Sequence, residues 1–159
     1  MEEHWEPQVR LDDDGEQVVD FGTGIVVKAE GEFTVRNTDL PYDLRIEYGF
    51  DRERFQISAA TFIARRRGDP VKSELVRKVA LDRVLREHLR RSLPRPSSRV
   101  LVRPGRLVAV YRAAWACHVP PTQAVAEAFG ISVKAAEQRV IAARADGRLP
   151  ETQQGKAKG

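Results

Sequence analysis

Between Ser132 and Gln138 the chain reads Ser-Val-Lys-Ala-Ala-Glu-Gln, with four hydrogen-bonding side chains and one exposed-looking apolar one. A glutamine amide donates and accepts together, so Gln138 can pair bidentately with adenine, while Lys134 can donate to guanine O6 and N7. Glu137 can accept from the cytosine amino group, or simply hold Arg139 or Lys134 in place. Val133 offers a surface to a thymine methyl, and Ser132 can bond to more than one base edge. Lys134 and Gln138 lie four apart and therefore share a helix face. Arg139, Arg144 and Arg148, with Arg103 and Arg106 further upstream, supply guanidinium forks suited to backbone phosphates.

Chemistry of this kind needs a rigid carrier, and residues 121–150 spell one out. Thr122 is a good N-cap residue, and Val125, Ala126 and Phe129 follow at helical spacing in 123–129. Gly130 permits a tight turn, Ile131 is placed to plug the corner, and Ser132 opens a second helix over 133–146 with Gly147 just beyond it. Ala136, Val140 and Ala143 fall at i, i+4 and i+7, a single buried stripe. Lys134, Glu137, Gln138 and Ile141 then occupy the opposite face.

This stretch resembles helix-turn-helix DNA-binding proteins. VAEAFGIS is similar to the first half of the motif in lac-repressor-type regulators, and ISVKAAEQRVIAARADGRLP looks like the longer second helix of feast/famine-type regulators. The whole is nearest to DNA-binding proteins of actinobacteria and their phages. Ala136 departs from the Val or Ile that many such motifs carry there. The resemblance covers about the last fifth of the chain. It implies a second helix lying in the major groove of double-stranded DNA, with Ser132, Val133, Lys134, Glu137 and Gln138 nearest the bases and Arg103, Arg106, Arg139, Arg144 and Arg148 on phosphates. One such motif covers few base pairs, so a homodimer or a second DNA-contacting region is expected.

The charge distribution agrees with a polyanionic partner. The net charge of +4 hides a split: residues 1–64 hold 6 Lys/Arg and 15 Asp/Glu, whereas residues 65–159 hold 21 and 8. Phosphate neutralisation dominates nucleic-acid affinity, so the basic half is the half to watch. Arginine outnumbers lysine by 21 to 6, a bias that a GC-rich genome explains as well as phosphate binding does. Cys117 is the sole cysteine, which excludes an internal disulfide and multi-cysteine metal sites. With no long apolar run and an acidic, polar N-terminus, the expectation is a cytoplasmic protein without membrane attachment.

The rest of the chain divides by texture into an α+β arrangement. Residues 1–17 read as a loose acidic lead-in. The run Asp12-Asp13-Asp14-Gly15-Glu16 fails as a calcium loop, since Arg10 and Phe21 would fall at its first and last ligand positions, and it is taken as a turn. Residues 18–91 read as a small antiparallel β-sheet covered by helix. GIVVKAEGEFTVRN suggests a hairpin about Ala29-Glu30-Gly31; 43–50 alternates Leu44, Ile46 and Tyr48 inward; 54–65 is a further strand after an Asp51-Arg52-Glu53 turn. Asp69-Pro70 reads as a helix start, with Leu75, Val79, Leu85 and Leu89 on the stripe of a helix over 71–91 that breaks near Val79. Residues 92–105 are a proline-rich linker, and 106–118 a helix with Leu107, Val110, Ala114 and Trp115 as its apolar face. That helix completes a three-helix, all-α unit over 106–150, and 151–159 reads as a disordered tail.

Catalytic readings are thin. His4, His88 and His118 are scattered, and no nucleophile spacing, HExxH, GxSxG or phosphate-cradling loop occurs. Cys117, Trp5 and Trp115 read as packing residues. Arg65, Arg66 and Arg67, with arginines at 77, 83, 86, 90 and 91, form a second basic cluster that could track phosphates or reach a minor groove; the plainer reading is a solvated helix face. The sequence therefore points to a DNA-binding regulator that is not an enzyme and needs no cofactor. One alternative is a protein-interaction adaptor that docks through the helix-turn-helix. Another is a metal-dependent DNA enzyme using Glu30, Glu32, Asp39, Asp43 and Glu47.

Overall fold

A computed structural model describes residues 7–36, 40–96 and 102–150. Its strands are β1 (Gln8–Leu11), β2 (Gln17–Asp20), β3 (Val26–Lys28), β4 (Glu30–Arg36), β5 (Tyr42–Asp51) and β6 (Arg54–Ala64). Its helices are α1 (Ser73–Val76), α2 (Leu81–Arg90), α3 (Pro104–Ala116), α4 (Pro121–Phe129) and α5 (Val133–Ala145). The fold is α+β, but with two sheets where the sequence suggested one. β1-β2-β3 and β4-β5-β6 are separate three-stranded antiparallel sheets.

The division falls where a hairpin was expected. β3 pairs with β2 and β4 pairs with β5, so the chain runs from one sheet into the other without reversing. Ala29 links them: its N–H donates to the Gln17 carbonyl at 2.8 Å, and its own carbonyl accepts from Phe50 N–H at 2.7 Å. Gly31 is no turn residue. It sits opposite Tyr48 in the β4–β5 register, and a Cβ there would stand 2.7 Å from the tyrosine hydroxyl oxygen. The glycine is present because an aromatic ring lies across it.

Period-two patterning governs β5, where Tyr42, Leu44, Ile46 and Tyr48 are buried while Arg45 and Glu47 face solvent. β6 follows through a two-residue turn in which Arg52 takes φ 53°. The Asp12 run is a turn, closed by the Asp12 carboxylate accepting from Asp14 N–H at 3.0 Å and Glu16 N–H at 2.8 Å. β1 occupies part of the stretch read as a loose lead-in. The expected helix over 71–91 is broken around Val79, into α1 and α2. Asp69 does not start it, because α1 begins at Ser73 behind Lys72.

α2 buries Leu85 and Leu89, and its His88 ring stacks on Phe33 of β4 with centroids 3.8 Å apart and planes at 1°. Leu93 is buried and α3 starts at Pro104, so the proline-rich stretch is anchored at both ends. One continuous buried cluster runs from Val19 and Val27 through Phe55 and Leu89 to Val110, Val125 and Val140. Burying each such side chain contributes about 1.5–3 kcal/mol. The expected tail at 151–159, Trp5 and His4 lie outside the described residues.

Candidate nucleic-acid interface

Three consecutive helices end in the same way. At the end of α4, Ile131 N–H donates to the Ala126 carbonyl at 3.0 Å and Gly130 N–H to the Glu127 carbonyl at 3.3 Å, with Gly130 at φ 60°. At the end of α5, Arg148 N–H donates to Ala143 and Gly147 N–H to Arg144, both at 2.9 Å, with Gly147 at φ 71°. This pair of bonds is the Schellman arrangement, which satisfies the last carbonyls without any side chain. α3 closes likewise through Val119 and His118, but its left-handed residue is histidine, at φ 59°. The reason is tertiary: His118 Nε2 lies 2.7 Å from the Phe55 carbonyl oxygen. A carbonyl can only accept, so this nitrogen carries the hydrogen.

α5 starts behind Ser132, whose Oγ accepts from Ala135 N–H at 3.2 Å. α4 starts differently from the sequence reading. Pro120 is its N-cap and Pro121 its first residue, so Thr122 lies inside the first turn; proline at N1 gives up no hydrogen bond there. Val125, Ala126 and Phe129 of α4 are buried with Ala136, Val140 and Ala143 of α5, and Ile131 packs against the same cluster. The small side chain at Ala136 is fully buried, so the departure from Val or Ile leaves the corner closed.

Packing that stripe inward turns the other side of α5 to solvent. Ser132, Val133, Lys134, Glu137 and Gln138 are all exposed, as are Arg139, Ile141 and Ala142. Val133 is 50% and Ile141 62% exposed, which is unusual for residues of their type. Lys134, Gln138 and Ile141 therefore form one accessible strip along the helix.

The arginines divide into two groups. Arg139 and Arg148 rim a shallow open groove between the start of α3 and the end of α5, floored by Val102, Leu107 and Ala143. Arg103, exposed, immediately precedes Pro104 on the same groove, and half-buried Arg106 is one turn away. Arg144 is placed otherwise. Its Nη2 donates to the Tyr111 hydroxyl at 2.8 Å and its guanidinium carbon lies 5.6 Å from the Tyr111 ring centre. Half-buried, it holds α5 against α3. Arg112 adds a second tie, donating to the Arg148 carbonyl at 3.2 Å. No sequence signal could have paired Arg144 with a residue thirty-three positions away.

Trp115, expected on the apolar face of α3, is 40% exposed and lies beneath the Arg54 guanidinium at 4.4 Å. Arg54 Nε also donates to the Trp115 carbonyl at 3.3 Å. With His118 on Phe55, these contacts bind α3 to the start of β6. Cys117 is fully buried, and burial pushes its thiol up to about 12, which makes it an inert core residue.

The acidic side chains of the strands do not converge. Glu32 faces Glu47 across the β4–β5 register but pairs with Arg45 at 3.6 Å, while Asp43 pairs with Arg65 at 2.8 Å. Asp39 lies outside the described residues, among which no group of three or more His, Cys, Asp or Glu is placed to hold a metal ion. Among those residues, too, no helix is long and apolar enough to cross a membrane. No protein-family model matches this chain, and no curated protein and no solved structure matches it either.

Proposed function

We propose that the protein is a sequence-specific DNA-binding regulator that reads the major groove with α5. The observation that carries this is the orientation of α5. Its small and branched residues are locked into the corner with α4, and Lys134 and Gln138 stand exposed within two turns of the Ser132 cap. That is the part of a reading helix nearest the bases. Arg103, Arg106, Arg139 and Arg148 are available at the margins for phosphates, whereas Arg144 already gives one of its five N–H donors to Tyr111. A homodimer would supply the second half-site that a single motif lacks, and cytoplasmic action would follow from the target.

The experiment is a mobility-shift titration at two salt concentrations, with specific and random duplexes. Gln138→Ala should leave folding nearly intact and cost about 1–3 kcal/mol of discrimination at one base position. If Gln138→Ala and Lys134→Ala both bind specific and random DNA as the parent does, α5 is not the reader.

A second reading has its own support. Val133 and Ile141 are apolar and exposed on the same helix face, as the docking surface of a protein-interaction adaptor would be. Co-purification of a stoichiometric protein partner without nucleic acid would favour it.

A further inference from the structure

Segment 65–91 holds ten Lys/Arg against four Asp/Glu. By sequence it reads as a solvated helix face. The structure adds where that face sits. Arg90 Nη2 of α2 is ion-paired with Glu127 Oε1 of α4, and Glu127 is steadied by Gln123 Nε2 at 3.1 Å. Pro96, just beyond α2, stands 3.8 Å from where a Cβ on Gly130 would lie, against the turn between α4 and α5. The basic helix is therefore a neighbour of the α4–α5 corner.

Burial of Leu85 and Leu89 in the shared core fixes the roll of α2 about its own axis. Arg83 is left exposed and Arg86 half-buried at the margin. Asp82 and Glu87 adjoin them in sequence, yet among the described residues neither Arg83 nor Arg86 forms an ion pair. Two guanidinium groups one helical turn apart thus stand on the helix whose last residue, Arg90, meets α4, and neither is engaged in an ion pair among the described residues. A helix of ten residues is about 15 Å long, enough to run beside roughly four phosphates of one strand.

We propose that α2 is a second phosphate-contacting surface, in which Arg83 and Arg86 grip the backbone of the same duplex that α5 reads. The proposal rests on the reading of α5 as a DNA reader and extends its footprint through a region outside the helix-turn-helix. Such contacts carry no sequence information; they add affinity and salt dependence, and they fix the register of the reading helix on the duplex. Arg90 has a different role, as the tie that positions α2.

The test compares the full-length protein with R83Q/R86Q and R139Q/R148Q in mobility-shift titrations from about 50 to about 200 mM salt. R83Q/R86Q should lower the slope of log affinity against log salt by about two units and leave the ratio of specific to random binding unchanged. The single variant R83Q, at an exposed position, should lower it by about one and guards against any folding defect at half-buried Arg86. Parental slopes in both α2 variants, alongside a reduced slope in R139Q/R148Q, would overturn the α2 surface and leave α5 as reader. An unmutated protein that retards no duplex at low salt would overturn both.

Discussion

The strands and the C-terminal helices use their charged side chains in opposite ways. On and beside the strands, several basic groups are neutralised in place: Arg10 with Asp20, Lys28 with Glu16, Arg45 with Glu32 and, just past β6, Arg65 with Asp43. On α5, Lys134 and Arg139, with Arg148 just beyond it, form no ion pair among the described residues, and α3, α4 and α5 end on backbone bonds that engage no charged side chain. Exposed pairs of the first kind contribute at most about 1 kcal/mol each, so the contrast matters little for stability. It matters for availability. A polyanion is drawn most strongly to cations that have no carboxylate partner, and α5 carries Lys134 and Arg139 of that kind on its exposed face.

The most severe test of that contrast is to put a charge where α5 has none. Val140 is 2% exposed, in the stripe that orients the helix. Val140→Asp should cost more than about 4 kcal/mol and abolish the cooperative unfolding of α3–α5, read as lost helical circular dichroism. Survival of a native-like melt would mean that the stripe does not hold the corner. On the strands the equivalent weak point is steric. Gly31→Ala should cost about 1–3 kcal/mol in urea denaturation, because Tyr48 cannot yield. It is 6% exposed and wedged among Phe33, Phe55 and His88.

How much of this was legible follows from the range of the interactions. The α4–Gly130–α5 corner, its Ser132 cap, the inward alternation of β5 and the break near Val79 all depend on neighbours within a few residues, and the sequence carried them. The sheet change at Ala29 did not show, because Gly31 answers to Tyr48, a partner beyond any local pattern. Trp115 reads as core until Arg54 is known to cover it, and the bond from Arg144 to Tyr111 joins residues too far apart in sequence for any local pattern to show. Arg83 reads as solvent-facing and is exposed; what no local pattern shows is the Arg90–Glu127 tie, which joins segments thirty-seven positions apart. Thr122 suits a cap by chemical type, but Pro120 takes that position and Pro121 opens the helix.

His118 sharpens the comparison where a helix cap also joins α3 to the strands. His118→Ala loses the hydrogen bond to the Phe55 carbonyl, about 1 kcal/mol, and keeps the left-handed Cβ that the parent already has. His118→Gly loses the same bond but relieves that strain by about 1 kcal/mol, and so should be the milder variant in thermal unfolding. If the two variants melt together, the left-handed backbone contributes nothing and the contact to β6 is the whole effect.

The smallest expected effect concerns protons. His88 lies stacked on Phe33, and burial, with Arg91 acting in the same direction, holds its imidazole below the ordinary value of 6.5. The unfolded chain takes up a proton near pH 6.5 while the folded chain resists it. Stability is therefore full above about pH 6.5 and declines as the pH falls through that value toward the lowered folded one. Asp20, held low by its bond from Arg10 and the Gly22 N–H, adds a separate loss on acidification below about 3.8, where the unfolded carboxylate protonates first. The two windows do not coincide, so they can be told apart. His88→Phe keeps an aromatic partner on Phe33 and removes the titration. Urea unfolding at about pH 7.5 and about pH 5.5 should show a decline for the parent that His88→Phe lacks, while both should still weaken near pH 3.5. Equal declines between the two higher pH values would mean that the stacked ring bears no share of the acid sensitivity in that range.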